Sequence, residues 1–314
     1  MLVNIGLIIV GFFLLVKGGD FLVDGAVAIA KRAKLSSMVI GLTVVGFGTS
    51  APELLVSIQA ALAGSSGIAI GNVVGSNIAN IALILGVTAL IKACRTERQT
   101  LRIDIPFMIL FCVMFVMVAM TGTISRIAGI IGVLMLIAFV SWQIWNSRKQ
   151  SKEEEHADVP DMPLWRACVY VVGAIVALTY GADWLIQGAC ELAKMLGVSE
   201  RIIGLTLIAA GTSLPELFAS IMSARKGETD MAIGNVIGSI TFNILSVIGF
   251  SSAICPIQGS DEGFLFDYIL MIALGILLWI FLFTKRTLER WEGAVLLLVY
   301  VAYLVRTVII NPVG

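Results

Sequence analysis

Shifted by 163 residues, the chain falls onto itself without a gap: Gly18 onto Gly181, Asp20 onto Asp183, Gly41 onto Gly204, Glu53 onto Glu216, Gly71 onto Gly234 and Asn80 onto Asn243. Self-similarity at a fixed offset means that one unit is used twice, so any architecture for the first half must also serve the second. The repeated unit is apolar. With 59% hydrophobic and 13% charged residues at a mean hydropathy of +1.00, the chain carries far less than the roughly 25% charge of soluble domains. It reads as a polytopic membrane protein. About ten runs are long enough to cross a bilayer, at 3–29, 37–63, 68–91, 105–121, 127–146, 165–190, 199–223, 231–254, 264–284 and 292–311. The first lacks the basic flank of a signal peptide and carries Lys17, Asp20 and Asp24, so it reads as a retained helix. The expected fold is all-α, with five-helix repeats at 1–146 and 164–314. The one long polar segment, 147–163, joins them and is too short to fold alone.

The stretch GLTVVGFGTSAPE at 41–53 returns as GLTLIAAGTSLPE at 204–216. Each copy sets a glutamate in mid-membrane, where burying an unpaired carboxylate costs about 2.5–3.5 kcal/mol or more. No basic residue lies at the depth of Glu53 or Glu216. Pro52 has no N–H for the carbonyl of Gly48, nor Pro215 for that of Gly211, so each helix must break or kink. Gly48, Thr49 and Ser50, with Gly211, Thr212 and Ser213, then supply a permissive backbone, freed carbonyls and hydroxyls. Irregular backbone at that depth is tolerated only where it lines a cavity. Thr49 with Glu53, and Thr212 with Glu216, stand four apart and share a helix face. Downstream, GNVVGSNIAN at 71–80 and GNVIGSITFN at 234–243 repeat that spacing in Ser76 with Asn80 and Ser239 with Asn243. Gly71, Gly75, Gly234 and Gly238 permit close helix approach. Converging hydroxyl, amide and carboxylate oxygens are what hard cations bind.

Five spans, an odd number, send the second half into the membrane from the opposite side, the inverted-topology repeat common among secondary transporters. With the N-terminus outside, the connections at 31–34, 92–102, 148–166, 225–226 and 285–290 are cytoplasmic and hold sixteen of the 21 Lys and Arg residues. Outside fall only Arg126, Lys194, Arg201 and Arg306, with Lys17 left in the first span. The positive-inside bias therefore expects both termini outside the cell, in a plasma or inner membrane.

The pair GTSAPE and GTSLPE, each followed by a GNxxGSxxxN stretch, resembles the two alpha repeats of the cation/calcium antiporter superfamily, in its prokaryotic-type sodium/calcium exchanger branch, over essentially the whole chain. The resemblance implies ten helices, a midplane site and countertransport of calcium against sodium, with no cofactor and no enzymatic reaction. It assigns cation coordination to Thr49, Ser50, Glu53, Ser76 and Asn80, and to Thr212, Ser213, Glu216, Ser239 and Asn243. It adds the backbone carbonyls of Gly46 and Ala209. Two positions depart from the family pattern. Ile240 stands where many relatives carry a polar residue; its repeat mate Asn77 is not an assigned ligand, so the expected set is unchanged. Asn243 is aspartate in some relatives, including potassium-dependent ones, and an amide there changes the charge of the site.

Zero net charge points to no nucleic-acid partner, and no protein partner is evident; the expected partners are the bilayer, calcium and sodium. The five cysteines lack paired spacing and read as small buried residues, while a lone histidine, His156 in the polar linker, removes most zinc and His-dependent chemistry. The closest alternative is calcium/proton antiport, with the glutamates carrying protons. The surrounding hydroxyl and amide oxygens argue for sodium, since a proton needs only the carboxylate. Gly18, Gly19 and Asp20 match the GxGD of intramembrane aspartyl proteases only faintly, and a passive channel is compatible with composition alone. Asp20, with Lys17 three residues before it, and Asp183 read as structural pairs or interface caps, and the acidic run from Glu153 to Asp161 as a solvated linker.

Overall fold

The computed structural model describes residues 1–150, 162–197, 211–259 and 262–310. In a bilayer every backbone N–H and C=O must find its partner within the protein, and helices meet that demand locally. The described elements are α1 (Leu2–Ala33), α2 (Ser37–Thr49), α3 (Ala51–Leu62), α4 (Ser66–Ile91), α5 (Thr100–Met120), α6 (Arg126–Gln150), α7 (Leu164–Met195), α8 (Leu214–Lys226), α9 (Thr229–Ile254), α10 (Leu265–Lys285) and α11 (Arg290–Ile310). Among the described residues seven helices are long and apolar enough to cross a membrane, or eight when α2 and α3, bent by 46° at their junction, are taken as one span. Residues 199–210 of the expected seventh segment, with Gly204 and Ala209, and 151–161 of the linker lie outside the described residues.

Large apolar side chains such as Phe12, Phe13, Ile130, Ile137, Val172 and Phe283 face outward. A water-soluble protein would not leave so much apolar surface bare; lipid covers it here. Helices α4 and α9 lie at the centre, and α9 is buried along nearly all its length. It sits there because Gly234 and Gly238, one turn apart, let its backbone lie directly on α2. A Cβ on Gly234 would meet the carbonyl of Met38, and one on Gly238 the carbonyl of Leu42. Small residues also join α1 to α7, where a Cβ on Gly11 would stand 2.6 Å from the Gly181 carbonyl and one on Gly25 2.9 Å from that of Ala167. The seven-residue spacing of Gly11, Gly18 and Gly25 keeps this seam on one face of α1.

Two short antiparallel ladders hold connecting segments together. Strand β1 (Cys94–Arg95) pairs with β4 (Thr287–Leu288), and β2 (Thr123–Ile124) with β3 (Ile257–Gln258). The offset of 163 carries Cys94 of the first ladder onto Ile257 of the second. The end of α8 is tied to α1 by Lys226, whose Nζ lies 2.7 Å from Asp24 Oδ1 and 3.7 Å from Asp20 Oδ1 and donates to the Asp20 carbonyl at 2.9 Å. The expected pairing of Lys17 with Asp20 is present but long, at 3.9 Å, and Lys226 is the nearer partner. Asp183, the repeat mate of Asp20, is exposed.

Candidate ion-binding site

Helix α2 ends at Thr49, Ser50 stands at the break, and α3 opens with Ala51, Pro52 and Glu53. Pro52 thus occupies a first turn, where a missing N–H leaves nothing unpaired. Helix α8 opens the same way after Ser213, with Pro215 and Glu216 in its first turn. Each glutamate therefore sits at the positive end of a helix dipole, which favours a carboxylate.

A pair of asparagines fixes these turns. Asn72 Nδ2 donates to the Glu53 carbonyl at 3.2 Å and to Ser57 Oγ at 2.9 Å. Asn235 Nδ2 donates to the Glu216 carbonyl at 3.2 Å and to Ser220 Oγ at 2.9 Å. The two clamps match atom for atom at the repeat offset. Neither asparagine was given a role by the sequence reading, although an amide at the same place in both GN motifs was the available signal. Asn80 and Asn243 each begin a π turn, Asn80–Leu85 and Asn243–Val247, and a further π turn, Gly41–Val45, precedes Gly46. Such turns re-aim side chains and recur at functional sites.

Residues from the two halves meet at this point. Ser50 Oγ donates to Glu216 Oε1 at 3.5 Å, Thr49 Oγ1 lies 3.4 Å from Asn235 Oδ1, and the Gly46 backbone lies against Gly238 and Ser239. Glu53 and Glu216, one from each half, are near neighbours here. Both are 1% exposed, and Thr49, Ser50, Ser76, Asn80, Ser213, Ser239 and Asn243 are buried with them, whereas Thr212 is half-buried. The position of Ala209 is outside the described residues. Asn77, set aside as a non-ligand, is in fact in contact with the set, accepting a 3.0 Å hydrogen bond from Asn243 Nδ2.

Buried polar atoms nearly always find a partner. Among the described residues twelve buried side-chain N or O atoms have none, and seven of them are here: Glu53 Oε1 and Oε2, Glu216 Oε2, Asn80 Oδ1, Asn243 Oδ1, Ser213 Oγ and Ser239 Oγ. No group of three or more His, Cys, Asp or Glu residues among the described residues could hold a metal ion. The cluster is thus a place of two carboxylates and many neutral oxygens, a set that suits alkali and alkaline-earth cations better than zinc or iron.

Residues 3–145 and 166–309 match the family model described as sodium/calcium exchanger protein. The chain is 38% identical to the sodium/calcium exchanger MaX1 of Methanosarcina acetivorans, covering 96% of this chain and 98% of that one. It is 33% identical to the inner membrane protein YrbG of Escherichia coli, covering 88% of each. It superposes on the sodium-calcium exchanger NCX_Mj with a TM-score of 0.84 at 30% identity, covering 97% of this chain and 98% of that one. With this match running through both repeats, the chain belongs to the sodium/calcium exchanger family of membrane antiporters, which are transporters and not enzymes.

Proposed function

We propose that the chain exchanges calcium for sodium by alternating access, through ten transmembrane helices in two inverted-topology repeats, 1–146 and 164–314, linked by 147–163 on the cytoplasmic side. The ions are held by Thr49, Ser50, Glu53, Ser76 and Asn80 together with Thr212, Ser213, Glu216, Ser239 and Asn243. The observation that carries this reading is the concentration of seven unpartnered buried oxygens among these residues. A hard cation satisfies such oxygens without any donor hydrogen.

Two carboxylates give the site about two negative charges, which one calcium or more than one sodium ion neutralises. The ions compete for the same oxygens, so both are not held together. Carrying the empty, charged site past a low-dielectric barrier costs more than carrying it filled, which couples the two fluxes and suppresses leak. One glutamate comes from each half, so displacement of one helix group against the other opens the site first to one side and then to the other. The amide and hydroxyl oxygens favour sodium over a proton as the counter-ion. In sodium-loaded liposomes diluted into sodium-free buffer, the purified protein should accumulate calcium until the sodium gradient is dissipated. Uptake driven by an acid-inside pH gradient, with sodium absent, would install proton antiport instead.

Potassium should not be needed. With Asn243 in place of an aspartate, one calcium already balances the site, and no third carboxylate calls for an additional monovalent cation. Sodium-driven uptake should run at similar rates in potassium and choline salts at clamped membrane potential. Collapse in choline would reject this reading, and Asn243→Asp is the change expected to introduce a potassium effect.

Both termini are placed outside the cell. In a background without the native cysteines, a single cysteine within 147–163 should react with impermeant thiol reagents only after the membrane is opened, and one at Gly314 should react in intact cells. The reverse pattern would overturn this orientation.

A further inference from the structure

Asn77 and Ile240 stand at the same place in the two repeats, 163 residues apart, and only Asn77 can hydrogen-bond through its side chain. Asn77 and Asn243 are fully buried, and Met271 of α10 nearly so. A thioether sulfur has no hydrogen to give. Met271 Sδ can only accept, and Asn77 Nδ2 donates to it at 3.5 Å. That sets the sense of the Asn77 amide and turns Oδ1 toward Asn243, whose Nδ2 donates to it at 3.0 Å. Asn243 is set in its turn. One N–H of its NH2 donates to Asn77, and its Oδ1, on the other side of the amide, is left buried with no hydrogen-bond partner among the described residues.

We infer that Met271, Asn77 and Asn243 form a one-way relay from α10 through α4 to α9 that presents the Asn243 oxygen, rather than its NH2 group, to the transported cation. This rests on the assignment of Asn243 to the ion site made above. An amide free to turn over would offer the positive end of its dipole to a cation for part of the time, so the relay makes a neutral residue a dependable oxygen ligand. The equivalent relay for Asn80 would run through Ile240, which cannot accept. The two amides of the site are therefore not equivalent, and Asn77 is a positioning residue for the second-half ligand alone.

The test is calcium half-saturation of sodium-driven uptake in proteoliposomes, read beside the maximal rate and the melting temperature of the purified protein. Asn77→Leu removes the acceptor and should raise half-saturation about five- to tenfold, the equivalent of one hydrogen bond, with the maximal rate little changed and the melting temperature lowered modestly by the Asn243 N–H left buried without an acceptor. Met271→Leu, a volume-conserving change, removes only the sulfur and should shift half-saturation in the same direction by about two- to threefold. Parental half-saturation in Asn77→Leu or in Met271→Leu would overturn the relay. Glu216→Gln measured alongside separates the two levels. If it transports normally, the ion site itself is misplaced; if it is silent while Asn77→Leu is parental, the relay alone fails.

Discussion

Glu53→Gln and Glu216→Gln should each abolish sodium-driven calcium uptake while leaving a folded, extractable protein. Each removes one of the two carboxylates of the proposed ion site. At an effective dielectric near 20, a pair of unit charges about 4 Å apart is worth about 4 kcal/mol, and a divalent ion doubles that. Losing one carboxylate therefore weakens calcium binding by several orders of magnitude, well beyond what the remaining neutral oxygens recover. The second half of the prediction has the opposite sign. With no cation present the two carboxyl groups are buried with unpartnered oxygens, so replacing either by a neutral amide costs the empty site little. In buffer free of calcium and sodium the variants should melt no lower than the parent, and added calcium should no longer raise their melting temperature. Uptake near the parental rate in either variant would show that the ions bind elsewhere.

Gly238→Leu should have the largest effect on folding. The backbone of α9 lies on that of α2 at this point, and a Cβ would meet the carbonyl oxygen, carbonyl carbon and Cα of Leu42, all main-chain atoms that cannot swing aside. Overpacking a core ordinarily costs about 1–3 kcal/mol, and a clash with main chain belongs at or above the top of that range. Because α9 carries Ser239 and Asn243, forcing the helices apart also opens the site. Little monodisperse protein should survive extraction. Gly173→Leu is the control, since a Cβ there meets nothing within 4 Å on the exposed side of α7, and it should extract and melt like the parent. Equal yields from the two variants would mean that the α2–α9 seam is looser than it looks.

The two helix breaks were legible because proline acts locally: Pro52 and Pro215 each fall in the first turn of a new helix, directly after the glycine, threonine and serine that precede it. The burial of the glutamates followed from the hydropathy of the runs that hold them. What could not be read were features decided by packing between distant segments. The π turns at Asn80 and Asn243 have no sequence pattern separating them from ordinary helix. Lys226 sits 202 residues from Asp24, its 2.7 Å partner, whereas Lys17 lay conspicuously close to Asp20 in sequence. Asn77 was passed over on an argument about ligands alone. Its contact is with the amide of Asn243, 166 residues away, which no list of coordinating residues contains.

The two small ladders bear on how the chain is made. Each takes one strand from before the linker and one from after it, and the α1–α7 seam and the α2–α9 crossing do the same. A ribosome that has inserted α1 to α6 has therefore produced a half with two unpaired strands, a bare glycine seam and a single glutamate without its counterpart. They are completed in turn, the glycine seam by α7, the second carboxylate at Glu216 and the last ladder only when Leu288 has been synthesised. The two halves thus face each other through surfaces like those between subunits, although they share one chain. Severed within 151–161 and produced together, the two pieces should recover one another in the membrane; produced singly, each should be cleared as an orphan.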